Sequence, residues 1–353
     1  MKATQTLYDF HGLVSLSVVD HRPGLSLFAE AGQPFTHFQV QSLAEAPQVV
    51  LEMGGFQPQP GECYLVDHKY HIRENYIYCQ EQWRSFRWQV EIEGFESGPT
   101  HIHLDLRGGG LRQILIPGMY ANGLLTRQVI GRHLHDRGCA LLHAAAAARS
   151  GKAVVAFGRG GSYKTSLLMS LLRSAPDWRT LGDDGLILQG AEVLSFPTFP
   201  ALFAYRLKHL EGEELGFGER AGYLASLLKP GYHADIYAPR AEIAALVEVV
   251  TGDFEQVVIK ETPFARNLAG ILHESRLEEH NSVNLGFNDS YPQMVEAYSY
   301  IFPGNGLQTT WPDQEGQMAA ADGAGSYQVC LPLKPGPGDL QDVVGFLNEI
   351  VPG

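Results

Sequence analysis

Apolar and polar residues alternate with a period of two over much of the first third of the chain. In FRWQVEIE, the residues Phe86, Trp88, Val90 and Ile92 interleave with Arg87, Gln89, Glu91 and Glu93. Every apolar side chain then falls on one face of a pleated strand and every polar one on the other. HIHLDLR repeats this with Ile102, Leu104 and Leu106, and sets His101, His103 and Asp105 on the opposite face. Those three are metal-ligand types, but histidines on a wet strand face are usually just solvated, and the face is read that way. Shorter strand-like runs, LVSLSVV from Leu13 and QILIP from Gln113, are separated by turns containing glycine and proline. Up to about Pro117 the pattern predicts strands.

The period then changes. From Asn122, an N-cap type, the residues Leu124, Leu125, Val129, Ile130 and Leu134 recur at helical spacing, and Gly138 follows as a stop. Next come two short apolar runs, CALLHAAAAA and KAVVAF, joined by the turn RSGK, a hairpin that delivers the chain to Gly158. A glycine-rich segment and an amphipathic stretch with Leu167, Leu168, Leu171 and Leu172 complete the order strand, loop, helix. Further on, HESRLEEH predicts a helix carrying His273, Glu274 and His280 on a charged outer face. PGNG and ADGAGSY predict exposed loops, and LQDVVGFLNEI a short amphipathic helix. The expectation is an α/β protein with a β-rich N-terminal module over residues 1–120 and a second domain over residues 121–353.

Composition narrows the partners. At 353 residues and 44% hydrophobic, the chain can fill two cores. Its net charge of -13, from 39 acidic against 26 basic side chains, repels a polyanionic backbone, so no nucleic acid is expected. Cys63, Cys79, Cys139 and Cys330 form no C-x-x-C pair and predict reduced, mostly buried thiols. The N-terminus lacks a long apolar run with a small-residue cleavage site, and nothing reaches the roughly 20 apolar residues of a membrane span. A cytoplasmic location and no membrane partner are the expectation.

The glycine-rich segment carries the chemistry. Gly158 to Thr165, GRGGSYKT, fits G-x-x-x-x-G-K-[ST] at its first glycine, its lysine and its hydroxyl residue, with Tyr163 in place of the second glycine. Backbone N–H groups of Arg159, Gly160, Gly161, Ser162, Tyr163, Lys164 and Thr165 would form a nest for a β-phosphate at the positive end of the helix. Lys164 would neutralise the β- and γ-phosphates, and the Thr165 hydroxyl would hold Mg²⁺. Glycine is favoured where a loop needs unusual dihedrals, yet only the backbone N–H is required of Tyr163. An ordinary local conformation would let its ring point away. The plain alternative is a glycine-rich turn with no ligand.

About twenty residues on, WRTLGDDGLILQG places Asp183 and Asp184 between two short apolar segments. One carboxylate can hold Mg²⁺ while the other accepts the proton of an attacking hydroxyl. Alone, GDDG is more often a tight turn.

Taken together, LLHAAAAARSGKAVVAFGRGGSYKTSLLMSLLR and LGDDGLIL, from Leu141 to Leu188, resemble the core of the HPr kinase/phosphorylase-like proteins, relatives of the ATP-dependent phosphoenolpyruvate carboxykinases. Their pattern is a histidine on a strand, a short hairpin, a Walker A loop with its helix, and a paired aspartate. The resemblance implies a P-loop nucleotide-binding fold for the second domain, ATP and Mg²⁺ as cofactors, and phosphoryl transfer from ATP to a hydroxyl. The acceptor would be a serine of a peptide or protein, or a small molecule. His143 matches the histidine near the catalytic carboxylate, Asp183 the general base, and Asp184, with Thr165, the metal residues; the roles of the two aspartates are exchangeable. On its residues alone, His143 is a hydrogen-bonded core histidine. The resemblance does not reach the first domain, and Tyr163 departs from it.

Beyond this core, Arg206, Lys208, Arg220, Arg240 and Arg266 are all candidates to reach a γ-phosphate, and the sequence does not choose among them. Two other readings stand beside the kinase: a nucleotide-binding or ligand-free scaffold that binds a partner, favoured by Tyr163, and a nucleotide hydrolase. Oligomeric state stays open, a homo-oligomer included.

Overall fold

The computed structural model describes residues 3–21, 35–83, 86–107, 125–197, 200–209, 218, 222, 234–281, 291–308, 321 and 323–353. Over these residues the chain is mixed α/β, with two large mixed sheets and six helices: α1 (Arg127–His135), α2 (Lys164–Ser174), α3 (Pro200–His209), α4 (Phe264–Asn281), α5 (Tyr291–Ile301) and α6 (Pro337–Ile350). No helix among the described residues is long and apolar enough to cross a membrane. The chain divides into two compact units, Met1–Arg137 with Glu279–Pro312, and Gly138–Glu278 with Asp313–Gly353. The first unit thus includes α1 and a return segment carrying α5.

The first unit holds strands β1 (Thr4–Phe10), β2 (Val14–Asp20), β3 (Gln39–Val40), β4 (Val49–Met53), β5 (Tyr64–Val66), β6 (Tyr70–Arg73), β7 (Tyr76–Trp83), β8 (Phe86–Glu93) and β9 (Thr100–Arg107). They form one sheet in the order β3-β1-β2-β4-β9-β8-β7-β6-β5. The neighbours β2, β4 and β9 run parallel. In β8, Trp88, Val90 and Ile92 are buried as their alternation dictates. Its other face is not uniformly wet. Glu91 is buried and accepts from Tyr76 Oη at 2.5 Å and from the Gln59 N–H at 2.8 Å, and burial with this carboxylate pushes the Tyr76 phenol up.

In β9, Ile102 and Leu104 are buried and Leu106 is half-buried, while His101 is exposed and Asp105 is buried under an ion pair to Arg107 at 2.6 Å. No group of three His, Cys, Asp or Glu side chains among the described residues could hold a metal ion. In α1, Val129, Ile130 and Leu134 turn inward together with Leu125 just before it, and Gly138 beyond it has a φ of +71°. Asn122, Leu124, the QILIP segment and Arg220 lie outside the described residues. None of the four cysteines is in a disulfide; Cys63 is half-buried and the other three are buried.

The second unit holds β10 (Ala140–Leu142), β11 (Ala145–Arg149), β12 (Lys152–Phe157), β13 (Arg179–Gly182), β14 (Leu186–Gln189), β15 (Glu192–Ser195), β16 (Arg240–Gly252), β17 (Val258–Glu261) and β18 (Gly325–Pro332). The sheet path is β10-β14-β15-β16-β12-β11-β13, with β18 on β16 and β17 on β18. β12 and β18 both run parallel to β16.

The β11–β12 hairpin turns on Ser150 and Gly151, both with positive φ, 51° and 78°, the geometry whose twist matches its strands. ADGAGSY is not wholly a loop. Gly325, Ser326 and Tyr327 begin β18 because they pair in register with Ala245, Leu246 and Val247, and that ladder outweighs the weak strand preference of glycine and serine. The helix at the C-terminus starts earlier than its apolar pattern, at Pro337, where proline is favoured and the Asp339 carboxylate accepts the Gly336 N–H.

On one face of this sheet, Leu167, Leu168 and Leu171 of α2 and Val343, Val344 and Leu347 of α6 pack on Val154, Ala156, Val247, Val249, Val329 and Leu331. α4 covers the other face. Its Asn267 amide donates to the carbonyls of Leu246 and Tyr327, and Gly270 lies against the Phe157 ring, where a Cβ would be 3.0 Å away.

Candidate functional site

Three sequence-predicted elements arrive at one edge of the second sheet. The loop follows the C-terminal end of β12, on the side where parallel strands deliver ligand-binding loops. β11 is antiparallel to β12, pairing Ala145 with Ala156, and β13 is antiparallel to β11, pairing Gly182 with Ala146. The start of β11, preceded by His143, and the end of β13, followed by Asp183 and Asp184, therefore point the same way as the loop. Two strand spacings, about 10 Å, separate β13 from β12.

The local cause is a gap in one ladder. Leu142 pairs with Leu186, and Ala146 pairs with Gly182. One segment has advanced four residues (142 to 146) while its partner has retreated four (186 to 182), so these two pairs share a register, and a one-residue shift follows between Ala146 and Ala147. CALLHAAAAA, expected as one run, is split here into β10 and β11. Between the paired stretches the ladder opens, with His143 and Ala144 facing the bend of Asp183, Asp184 and Gly185. Gly182 permits the bend, since a Cβ there would lie 2.2 Å from the Gly185 carbonyl oxygen. Within the gap, His143 Nδ1 is 3.2 Å from Asp184 Oδ1, with the imidazole 12% exposed and the carboxylate 44%. The His143 N–H donates to Ser275 Oγ on α4 at 2.8 Å, and that hydroxyl donates in turn to the Ile271 carbonyl at 2.7 Å. Asp183 is half-buried.

The loop Gly158–Thr165 needs its first glycine. Gly158 has a φ of +147°, and a Cβ would stand 2.3 Å from the Val249 carbonyl oxygen on β16. The Ser162 N–H closes a turn onto the Arg159 carbonyl at 3.1 Å, leaving Arg159, Gly160 and Gly161 exposed. Tyr163 then adopts φ 66°, ψ 22° directly before α2. The ordinary conformation expected of a non-glycine residue is not what the chain uses: the glycine-type backbone is kept, and a tyrosine occupies it. The left-handed region costs an L-residue about 1–2 kcal/mol. Against this, the half-buried ring packs on the core under α2, and its hydroxyl reaches the Leu333 carbonyl at 3.4 Å. The side chain thus leads away from the loop interior.

Inside the loop, Lys164 is buried and donates through Nζ to the carbonyls of Gly158 at 2.6 Å and Arg159 at 3.2 Å. Ser162 is 5% exposed, and its Oγ has no hydrogen-bond partner among the described residues. Thr165 is half-buried in the first turn of α2.

Among the other cations, Arg240 pairs with Glu192 at the start of β16, while the loop adjoins Val249, nine residues on, or about 30 Å of strand. Arg266 is nearer but lies on Glu248 at 3.0 Å. Arg206 is half-buried and Lys208 exposed on α3. The loop's own Arg159 meets Glu274 of α4 at 3.4 Å. His273 beside it is exposed, so only part of that charged helix face looks outward. Glu274, Ser275 and Glu248 were not legible as site neighbours in the sequence, because each meets its partner through the tertiary fold.

These residues fit a polyphosphate with Mg²⁺: a loop whose first glycine admits close backbone approach, an orphan buried hydroxyl in it, a buried lysine and, at the same edge, two carboxylates. The chain matches no protein-family model, and no curated protein matches it.

Proposed function

We propose that the protein is an ATP-dependent phosphotransferase of the HPr-kinase-like type, moving phosphate to a hydroxyl of a peptide, protein or small molecule. The observation that carries this reading is the orphan Ser162 hydroxyl, buried in a loop that opens a helix and sits at the same sheet edge as the His143–Asp184 pair. A buried hydroxyl without a partner costs about 1–3 kcal/mol, and a phosphate oxygen is the acceptor such a loop is shaped to supply. Thr165 and one aspartate would hold Mg²⁺, which would neutralise phosphate charge.

Asp183 is the proposed proton acceptor for the incoming hydroxyl, and His143 fixes its neighbour Asp184. The same pair supports the exchanged assignment, because an imidazole 3.2 Å from Asp184 orients that carboxylate in the way a base is oriented in other hydroxyl-activating sites. The test is phosphate transfer from labelled ATP to candidate acceptors, run beside release of free phosphate. Replacing the base, by Asp183→Asn or Asp184→Asn, should lower transfer about 10²–10⁴-fold with nucleotide affinity little changed; replacing the metal ligand should lower transfer and Mg²⁺ affinity together. Unchanged transfer in both variants overturns the mechanism. Release to water with every acceptor indicates a hydrolase, and ATP binding with neither reaction indicates a scaffold.

A further inference from the structure

Both cations of the loop are engaged by the protein itself, in different ways. Lys164 is buried and turned onto two loop carbonyls. Arg159 is 63% exposed at the loop rim, and its Nη1 donates to Glu274 Oε2 at 3.4 Å, a carboxylate only 18% exposed on α4. Glu274 is held in place from both sides. Gly270, one turn before it, packs on the Phe157 ring at the foot of the loop, and Ser275 next to it accepts the His143 N–H. The carboxylate therefore stands on an anchored stretch of helix beside an exposed guanidinium.

Resting on the phosphate-loop reading, we propose that the Arg159 side chain is the second phosphate-binding cation of this site and that Glu274 is its competitor, a positioning residue that keeps the guanidinium at the rim until a polyphosphate draws it away. An ion pair this exposed contributes little, because water and salt screen it. A phosphate offers the same guanidinium two parallel charge-assisted hydrogen bonds, a stronger arrangement. The exchange thus favours a highly charged ligand over a singly charged one, and Glu274 sets how much charge is needed.

The probe is inorganic pyrophosphate with Mg²⁺, titrated calorimetrically into the full chain. Arg159→Gln should weaken binding about tenfold, the loss of one charge-assisted contact. Glu274→Gln, which keeps the size and removes the charge, should tighten it roughly two- to fivefold, and in the Arg159→Gln background it should do nothing. Equal tightening with and without Arg159 would show that Glu274 acts by general repulsion and would overturn the proposal. Unchanged or weaker binding in Glu274→Gln, with a native melting temperature, overturns it too. Those results leave the phosphate-loop reading intact, whereas a parent chain that ignores pyrophosphate, or binds it equally after Lys164→Met, removes that reading and this inference together.

Discussion

At the scale of single residues, Tyr163 concentrates the conflict in this loop between what the backbone needs and what the side chain is. Its φ of 66° is a glycine conformation, and the ring is accommodated because it leaves the loop for the Leu333 carbonyl. Two substitutions separate backbone from ring. Both Tyr163→Gly and Tyr163→Ala lose the packing, but only alanine keeps the left-handed strain, so the glycine variant should be more stable than the alanine variant by about 1 kcal/mol. Urea midpoints measure this directly. Both variants should retain pyrophosphate binding, in contrast to Lys164→Met; a large loss in Tyr163→Gly would instead make the tyrosine a ligand-contacting group.

Among elements, the decisive one is the interrupted ladder between the segments 140–149 and 179–189. Gly182 is its weak point. Gly182→Ala drives a methyl into the Gly185 carbonyl, 2.2 Å from the new atom, and should cost roughly 1–3 kcal/mol, as other overpacked sites do. Transfer should fall further than stability does, since the displaced atoms carry both aspartates; equal activity per folded molecule would disconnect the bend from the chemistry.

This element also marks the limit of what the sequence shows. The loop, the helix after it with its leucine stripe, and the hairpin before Gly158 were legible because each follows from local spacing and turn chemistry. The alternation in β8 was legible for its apolar face only, since Glu91 is buried by Gln59 and Tyr76, partners that no periodicity names. The gap at His143 was hidden inside an unbroken apolar run, because a ladder opens or closes according to its partner strand. For the same reason neither the Arg159–Glu274 contact, 115 residues apart, nor the strand identity of Gly325–Tyr327 could be read locally.

For the molecule as a whole, acid should be destabilising, and the first unit supplies a reason. His133 is buried beside Arg132 and Arg137, and burial first, then these cations, lower its pKa from 6.5 to about 3. His135 and His37, both half-buried, are lowered to about 4, chiefly by the partial loss of water around the ring. Between those values and 6.5 the unfolded chain takes up protons that the folded chain refuses, so stability is complete above about pH 6.5 and is lost as the pH falls toward 4 and below. The urea midpoint should therefore drop from pH 7 to pH 4, and His133→Gln should make that dependence shallower. A parallel pair of curves would assign the acid sensitivity elsewhere.

The division of the chain has a consequence for how the protein is made. Residues 279–312 return to the first unit after the second has been threaded, and α5 supplies Tyr291 and Tyr298 to Phe95, with Tyr298 Oη accepting the Asn75 N–H at 2.8 Å and donating to Glu96. A fragment ending at Arg137 should accordingly melt well below the full chain and bind a hydrophobic dye at Phe95, and adding the 279–312 peptide should restore it. On the ribosome the same gap is a waiting time. Residue 312 is synthesised 175 residues after residue 137 (312 minus 137), which at ordinary elongation rates is roughly 10–35 s. For that interval the first sheet exists with one aromatic seat unfilled, and a nascent chain in that state is a client for a holding chaperone.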